Sequence, residues 1–157
     1  MNCEINIRTF KESDLLKMLD IFNYYAKNSF SVYCEFELEL NMYKHVVEDA
    51  KVLLVVEDKN KIVGYGYISN FLPFPNFKKT GLLTYFISKD YTQKGIGTEL
   101  FNRLIEEGKK LGITNYLANI SNKNTQSIKF HEKLGFNKVG SFENVGVKFN
   151  ENISIVW

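Results

Sequence analysis

The sequence predicts a mixed α/β fold, and three observations support this prediction. Two apolar runs, residues 52–56 and 62–68, flank a polar turn and are typical of a β-hairpin. A further apolar strand, residues 82–87, leads through a short turn into a helix that starts with Gly-x-Gly. A strand near residues 116–120 is again followed by a helix. Strands that come first and then alternate with helices indicate a sheet covered by helices.

The other elements follow in chain order. Residues 5–10 form a first strand, after which Ser13 and Asp14 supply an N-cap and a first-turn charge for a helix. A second helix begins at Asn41 and runs to about Ala50. The remaining strands, which close the sheet, are residues 139–142 and 153–156.

One loop contains both prolines of the chain. Residues 71–77 read Phe-Leu-Pro-Phe-Pro-Asn-Phe, and proline cannot donate to a central strand ladder, so this loop crosses the surface or lines the rim of a pocket. Its aromatic rings contact substrate in one interpretation. In the other, they are buried in the core or in a dimer interface.

Length and charge exclude several classes of protein. The 157 residues contain no linker or repeat, which predicts one domain over residues 1–157. The 20 basic and 18 acidic residues give a net charge of +2 without a basic patch, so a nucleic-acid partner is not expected. No run of about 18 apolar residues and no leader-like N-terminus is present, so we expect a cytoplasmic protein without a membrane partner.

The cysteines and histidines predict no metal site. Cys3 and Cys34 are too few for a disulfide framework and are expected to be free thiols. His45 and His131 lie far from them and from each other in the sequence, without the spacing of metal ligands.

The Gly-x-Gly turn is the strongest functional signal. Glycine lets a ligand approach the backbone, and the first amide groups of a helix have no partners within the helix, so this junction predicts a phosphate cradle. A P-loop is excluded because its Gly-Lys-Ser/Thr ending is absent, and a dinucleotide fingerprint is excluded because Leu100 stands where a third glycine is needed. Apolar residues at helical spacing give the helix one packing face: Ile96, Leu100, Leu104 and Leu111.

A second segment makes the prediction more specific. After the strand at residues 116–120 come an Asn-x-x-Ser-Ile helix start at Asn124 and a Lys-Leu-Gly-Phe helix end at Phe136. The two segments together resemble the GCN5-related N-acetyltransferase (GNAT) superfamily. Residues 144–149, Asn-Val-Gly-Val-Lys-Phe, and residues 21–25 resemble its phosphinothricin acetyltransferase branch.

This resemblance implies a fold and a set of cofactor contacts. The GNAT fold is a single mixed, mostly antiparallel, twisted sheet of about six to seven strands, flanked by about four helices, whose splayed strands hold acetyl-CoA. The strand backbone is implied to pair with the pantetheine arm and polarise the thioester, and the turn to hold the pyrophosphate. The implied cofactor-binding residues are Tyr85, Phe86, Ile87, Gln93, Lys94, Gly95, Ile96, Gly97, Thr98 and Asn124.

His131 is the candidate catalytic residue. It lies seven residues after Asn124, nearly two helical turns, so both side chains face the same way. The resemblance implies that His131 is the acid that protonates the departing thiolate, a role for which a pKa near neutrality is suited. The alternative is a histidine that packs against the helix and hydrogen-bonds to a backbone group.

The chain also departs from the family pattern. Thr92 stands where the superfamily usually has Arg or Gln, although Gln93 follows it. Leu82 stands where the phosphinothricin branch has a glutamate, its candidate base, which leaves the base to a water molecule, Glu35 or Glu37. An expected arginine is missing from the aromatic loop, and the basic residues near it are Lys78 and Lys79.

The leading hypothesis is therefore an acetyl-CoA-dependent N-acetyltransferase that acts on the primary amine of a small molecule, such as an amino acid, by direct attack on the thioester. One alternative is a CoA-binding regulatory module without turnover. Another is an acetyltransferase for a protein N-terminus or lysine. The resemblance also implies a homodimer.

Overall fold

The computed structural model describes residues 4–157, so Cys3 lies outside the described residues. The chain forms two compact units. The first contains residues up to Ile21 together with Leu38–Leu117. The second contains Phe22–Glu37 and Ala118–Trp157. Helix α1, Leu15–Asn28, passes from the first unit into the second.

The first unit contains a five-stranded sheet. Neighbouring strands are antiparallel from β1 to β4, and β4 and β5 are parallel. The predicted hairpin is confirmed as β2 and β3, joined at Lys59 and Asn60, which have φ angles of 48° and 67° as a type I′ turn requires. In spatial order the strands are β1 (Ile5–Thr9), β2 (Val52–Asp58), β3 (Lys61–Asn70), β4 (Thr80–Ile87) and β5 (Asn115–Leu117).

A charged cluster fixes the chain at the start of α1. The Asp14 carboxylate accepts a hydrogen bond of 2.8 Å from the Lys11 amide and two from the Arg8 guanidinium, at 2.8 and 2.9 Å. Arg8 also pairs with Glu57 at 2.6 Å. These contacts hold the pKa of Asp14 below its usual range, chiefly through Arg8. The predicted N-cap role of Ser13 is wrong. The N-cap of this helical turn, Glu12–Asp14, is Lys11, whose backbone amide donates to the Asp14 carboxylate, and Ser13 lies inside the turn.

Helices α2, Leu40–Val47, and α3, Ile96–Lys110, complete the first unit. The predicted apolar face of α3 is buried at Ile96, Leu100 and Leu104, but Leu111 lies after the last helical residue and is 57% exposed. Gly66 of β3 allows α3 to approach the sheet, because a Cβ there would lie 2.9 Å from Leu104 Cδ1. The Leu100 and Leu104 side chains of α3 therefore pack closely against the sheet at Gly66.

The second unit contains a three-stranded sheet in the order β6-β8-β7, formed by β6 (Ile120–Ser121), β7 (Ser141–Lys148) and β8 (Glu151–Val156), together with helix α4 (Thr125–Lys133). The mixed α/β class and the four helices are confirmed. The strands, however, form sheets of five and three instead of one sheet. The reason is that the strand predicted at residues 116–120 breaks at Ala118 and Asn119, where the chain exchanges β4 for β8 as its pairing partner.

The proline-containing loop lies on the surface of the first unit. Phe74 is 60% exposed and Phe77 is 38% exposed, so their rings are not part of the core of this unit. Phe71 and Phe77 contact each other edge to face at 5.9 Å. Within residues 4–157, none of the helices is long and apolar enough to cross a membrane.

Candidate active site

The candidate site in the first unit begins on β4. Residues 85–87 pair with β3 in antiparallel register, with Tyr85 opposite Gly66 and Ile87 opposite Gly64. The parallel ladder between β4 and β5 covers only Thr80–Leu82 of β4. The Phe86 ring contacts the Tyr65 ring at 5.4 Å, and burial raises the pKa of Tyr85 well above its ordinary value. The three predicted residues thus lie on a strand held firmly on its β3 side.

The turn after β4 has an unusual backbone. Gln93 has a φ of 62° and Gly95 a φ of 81°, so two left-handed residues occur within three positions. Alternating backbone conformations of this kind turn successive amide groups toward one side and form a concave anion site. Lys94 donates a hydrogen bond of 2.8 Å to the Asp90 carbonyl and lies 4.8 Å from the centre of the Tyr91 ring. Its ammonium is therefore kept beside the turn.

Helix α3 begins directly at this turn. Gly95 is the N-cap, and no described side chain caps the helix. The Thr98 and Glu99 amides donate to the Gly95 carbonyl at 3.0 and 3.1 Å. The amides of Ile96 and Gly97 come before these first hydrogen bonds of the helix, so no carbonyl of the helix accepts from them. The positive end of the helix dipole adds to their attraction for an anion. The Ile96 side chain is buried, so only its backbone can face a ligand.

The candidate site in the second unit is built on α4. Asn124 is the N-cap: its Oδ1 accepts a hydrogen bond of 3.2 Å from the Ser127 amide. Its Nδ2 donates to Ser31 Oγ at 3.1 Å. Both ends of the Asn124 amide group therefore already make hydrogen bonds within the protein. A contact with the pantetheine arm would have to share one of these atoms.

His131 lies two turns further along α4 and is only 7% exposed. Its Nδ1 lies 2.8 Å from the Ser127 carbonyl oxygen, and because a carbonyl only accepts, Nδ1 carries the proton. The rings of Phe130 and Phe136 contact the imidazole edge to face at 5.7 and 5.1 Å. Burial lowers the pKa of His131, and the hydrogen bond to Ser127 offsets only part of this effect. At neutral pH the ring is therefore neutral, with its lone pair on Nε2.

This state predicts a pH dependence of stability. The unfolded chain binds a proton at His131 below about pH 6.5, while the folded chain, with its lowered pKa, does not yet do so. The free energy of unfolding should therefore fall as the pH drops from about 6.5 through the folded-state pKa. Urea titrations at several pH values should show this fall in the wild type and not in His131→Gln. Parallel profiles for the two proteins would contradict it, and His45→Gln, at an exposed histidine, is the control.

The structure assigns no general base among the residues considered from the sequence. Leu82 is part of β4, as predicted. Glu35 is exposed, and Glu37 is an exposed residue 3.7 Å from Lys27. Sequence reasoning missed Ser127, although it precedes His131 by four residues, the spacing that brings its carbonyl to the imidazole.

The described residues suggest no metal centre. Among residues 4–157, no group of three or more His, Cys, Asp or Glu side chains is placed to hold a metal ion. Cys34 is a free thiol whose sulfur lies 3.6 Å from the Phe36 carbonyl oxygen.

Comparison with known proteins identifies the family. The model of the acetyltransferase (GNAT) family matches residues 15–136, which is most of the chain. The chain belongs to the acetyltransferase (GNAT) family. The predicted family and the predicted enzyme class, an acyltransferase, are thereby confirmed. The GNAT match includes the Gly-x-Gly turn, the Asn124 cap and His131.

Several relatives of this GNAT protein have been named. An L-methionine sulfoximine/L-methionine sulfone acetyltransferase of Salmonella typhimurium is 24% identical over 98% of this chain and 92% of its own. A phosphinothricin N-acetyltransferase of Streptomyces coelicolor is 24% identical over 98% of this chain and 94% of its own. Among solved structures, a phosphinothricin acetyltransferase from Sinorhizobium meliloti in complex with acetyl-CoA superposes with a TM-score of 0.88. Its sequence is 22% identical, and the match covers 97% of this chain and 85% of that one. This last likeness confirms the GNAT fold.

Proposed function

We propose that this protein is an acetyl-CoA-dependent N-acetyltransferase that acetylates the primary amine of a small amino acid or amino acid analogue. The observation that carries the proposal is the left-handed turn at Gln93 and Gly95, which opens the first turn of α3 to an anion in a chain of the GNAT family. The named relatives that cover nearly its full length act on methionine sulfoximine, methionine sulfone and phosphinothricin. These names support a small amine acceptor over a protein acceptor or a module without turnover.

The proposed cofactor contacts follow from the geometry of the first unit. The amides of residues 95–97 bind the pyrophosphate of acetyl-CoA, and the Thr98 hydroxyl, which is exposed, adds a donor. Lys94 contributes a positive charge, and Gln93 is the exposed side chain at the mouth of the turn. The backbone of residues 85–87 recognises the pantetheine arm and polarises the thioester carbonyl. Asn124 acts mainly by capping the helix that carries His131.

The proposed chemistry is a direct attack. The amine nitrogen forms a bond to the acetyl carbon, the carbon–sulfur bond breaks, and one proton moves from nitrogen to sulfur. Because His131 is neutral and its Nδ1 proton is bound to Ser127, Nε2 accepts the amine proton first. The resulting imidazolium then protonates the thiolate. His131 therefore acts first as base and then as acid. In this scheme no glutamate is needed at the position that Leu82 occupies.

A thiol-release assay tests this function. Purified protein with acetyl-CoA should release CoA thiol with saturable kinetics when given methionine sulfone, methionine sulfoximine, phosphinothricin or common amino acids. We expect kcat/KM to be at least about tenfold higher for the best of these than for polyamines or lysine-containing peptides, which corresponds to about 1.4 kcal/mol. Release only with peptides would contradict the proposed acceptor class, and binding of acetyl-CoA without release would favour the regulatory module.

A homodimer is the proposed assembly. The strand order β6-β8-β7 leaves β7 at an edge, and three of its large apolar residues are exposed: Phe142 at 59%, Val145 at 55% and Val147 at 62%. Exposed apolar surface on an edge strand is suited to contact with a second copy. Sedimentation should show a dimer for the wild type and a smaller dimer fraction for Val145→Glu, and a wild-type monomer at all concentrations would contradict this.

The location and domain organisation stay predictions. We propose a cytoplasmic enzyme in which residues 1–157 work as one acetyltransferase domain. The match of one family model to residues 15–136, which include parts of both compact units, supports the single domain. Cell fractionation tests the location, and a single cooperative unfolding transition would support the single domain.

A further inference from the structure

Lys148 at the end of β7 is a fully buried charged residue. Its exposure is 0%, although lysine is almost never fully buried in proteins. The ammonium donates a hydrogen bond of 2.6 Å to the backbone carbonyl of Val32 and lies 4.7 Å from the centre of the Phe149 ring. Taking a charge out of water is costly, so a buried lysine that binds a neutral carbonyl calls for an explanation beyond stability.

The carbonyl that Lys148 binds belongs to a segment held at three consecutive residues. Ser31 accepts a hydrogen bond from Asn124 at 3.1 Å, and the Tyr33 hydroxyl donates to Asn119 Oδ1 at 3.1 Å. Val32, between them, is held by Lys148. Segment 31–33 has no regular secondary structure. These side chains hold its conformation together with the bond of the Ser31 amide to Ser29 Oγ and the burial of Val32.

The hydrogen bonds form a continuous path from Lys148 to the candidate catalytic group. Lys148 holds Val32, whose neighbour Ser31 accepts from Asn124 Nδ2. Asn124 Oδ1 then accepts from the amide of Ser127, and the carbonyl of Ser127 accepts the Nδ1 proton of His131. Every step of this path lies within the second unit. A change at Lys148 can therefore reach the imidazole through four hydrogen bonds and one peptide link.

We propose that Lys148 is a positioning residue for acetyl transfer, which fixes segment 31–33 and, through the Asn124 cap, the tautomer and orientation of His131. The predicted effect of Lys148 on acetyl transfer rests on the proposed function. Its predicted effect on the tautomer and orientation of the His131 imidazole does not. Partners that orient a working imidazole through the nitrogen it does not use are a general device of histidine chemistry.

The electrostatic surroundings of Lys148 fit this role. Desolvation lowers the pKa of its ammonium, and the nearby Cys34 and Glu35 offset part of this effect. Lys148→Met removes the cost of burying the ammonium but leaves the Val32 carbonyl without this donor. It removes the Val32 hydrogen bond while keeping the length of the side chain, and its thermal unfolding midpoint shows whether it folds.

Histidine NMR tests the proposal directly. The chain has two histidines, His131 and the exposed His45. The spectrum of a variant that lacks one of them assigns the NMR signals of both, and His45 serves as an internal reference. Long-range ¹H–¹⁵N spectra should show a neutral Nδ1–H tautomer for wild-type His131, with a pKa below about 6.5. In Lys148→Met we expect a mixture of tautomers. The pKa of His131 should fall further below its ordinary value, because the Ser127 hydrogen bond that raises it is weakened, with His45 unchanged. Lys123→Met, at a surface lysine paired with Glu151, should leave both histidines unchanged.

Two further measurements separate positioning from other effects. Ser31→Ala breaks the same path without removing a charge. A change of the His131 tautomer in this variant therefore excludes a purely electrostatic effect of Lys148. If Lys148→Met does not fold, Ser31→Ala tests the proposal in its place. In Lys148→Met, kcat should fall about 10- to 100-fold, with the KM for acetyl-CoA changed less than about threefold. An unchanged His131 tautomer and pKa in folded Lys148→Met, or in Ser31→Ala if the former is unfolded, would overturn the proposal. A wild-type protein that acetylates no acceptor would instead overturn the proposed function and leave the NMR result intact.

Discussion

Replacing His131 by alanine should lower kcat by about 10²- to 10⁴-fold, the usual contribution of a general acid–base group. The buried, neutral imidazole holds its proton on Nδ1 against Ser127, so Nε2 is the atom proposed to receive the amine proton and return it to sulfur. The measurement is steady-state thiol release at saturating acetyl-CoA with the best acceptor of the panel. The KM for acetyl-CoA should change little, because His131 is proposed to act on the proton and not on the cofactor.

The matched control is His45→Ala. His45 is the other histidine of the chain, is exposed, and lies 3.0 Å from Glu48 on the same helical surface. This variant should keep wild-type kcat. If His131→Ala retained a kcat within about threefold of the wild type, the proton-transfer role would be wrong and His131 would be a packing residue of α4.

Replacing Gly97 by valine should weaken acetyl-CoA binding at least about tenfold, or about 1.4 kcal/mol, without unfolding the protein. Gly97 is the second residue of α3, and a branched side chain there would cover the amides that are proposed to bind the pyrophosphate. Isothermal titration calorimetry with acetyl-CoA measures the change in Kd, and the thermal unfolding midpoint reports whether the fold is kept.

Gly140→Val is the control for the general effect of replacing a glycine. A Cβ at Gly140 meets no other atom within 4 Å, and this residue takes no part in the proposed site. The control should bind acetyl-CoA like the wild type. An unchanged Kd in Gly97→Val would mean that the first turn of α3 does not hold the phosphates.

The elements that carry the candidate site in the first unit could be predicted from sequence because their signals are local. The apolar strand, the glycines and the apolar face of the helix lie within about 30 residues, and each follows from backbone sterics or helical periodicity. The structure accordingly has a strand here, β4, which begins two residues before the predicted strand at residues 82–87, and it begins α3 at Ile96 within the predicted Gly-x-Gly start. The spacing of Asn124 and His131 on α4 was predictable for the same reason.

The β7 strand was predicted too short for a physical reason. Its pairing with β8 shifts register between Phe142 and Gly146, and Asn144 within this bulge has a φ of 54°. A bulge breaks the alternation of apolar and polar residues that identifies a strand. The pattern therefore ended at Phe142, whereas the strand continues to Lys148.

The role of Lys148 could not be predicted either. A lysine in a sequence is expected to be exposed, and its burial here depends on Val32, 116 residues away. Contacts over such a distance leave no periodic trace in the sequence. The hydrogen bond between Asn124 and Ser31 likewise joins residues far apart in the sequence. Through it, Asn124, which is predicted to bind the pantetheine arm, already donates to a group within the protein.

The most direct test of the central claim is to follow the acetyl group itself. Purified protein would be incubated with acetyl-CoA labelled with ¹³C in the acetyl group and with methionine sulfone, and the products analysed by mass spectrometry and NMR. We expect the label on the α-nitrogen of methionine sulfone, with one CoA thiol released for each acetyl group transferred. Folded protein that binds acetyl-CoA but leaves all of the label on CoA, with this acceptor and with the rest of the panel, would contradict the account.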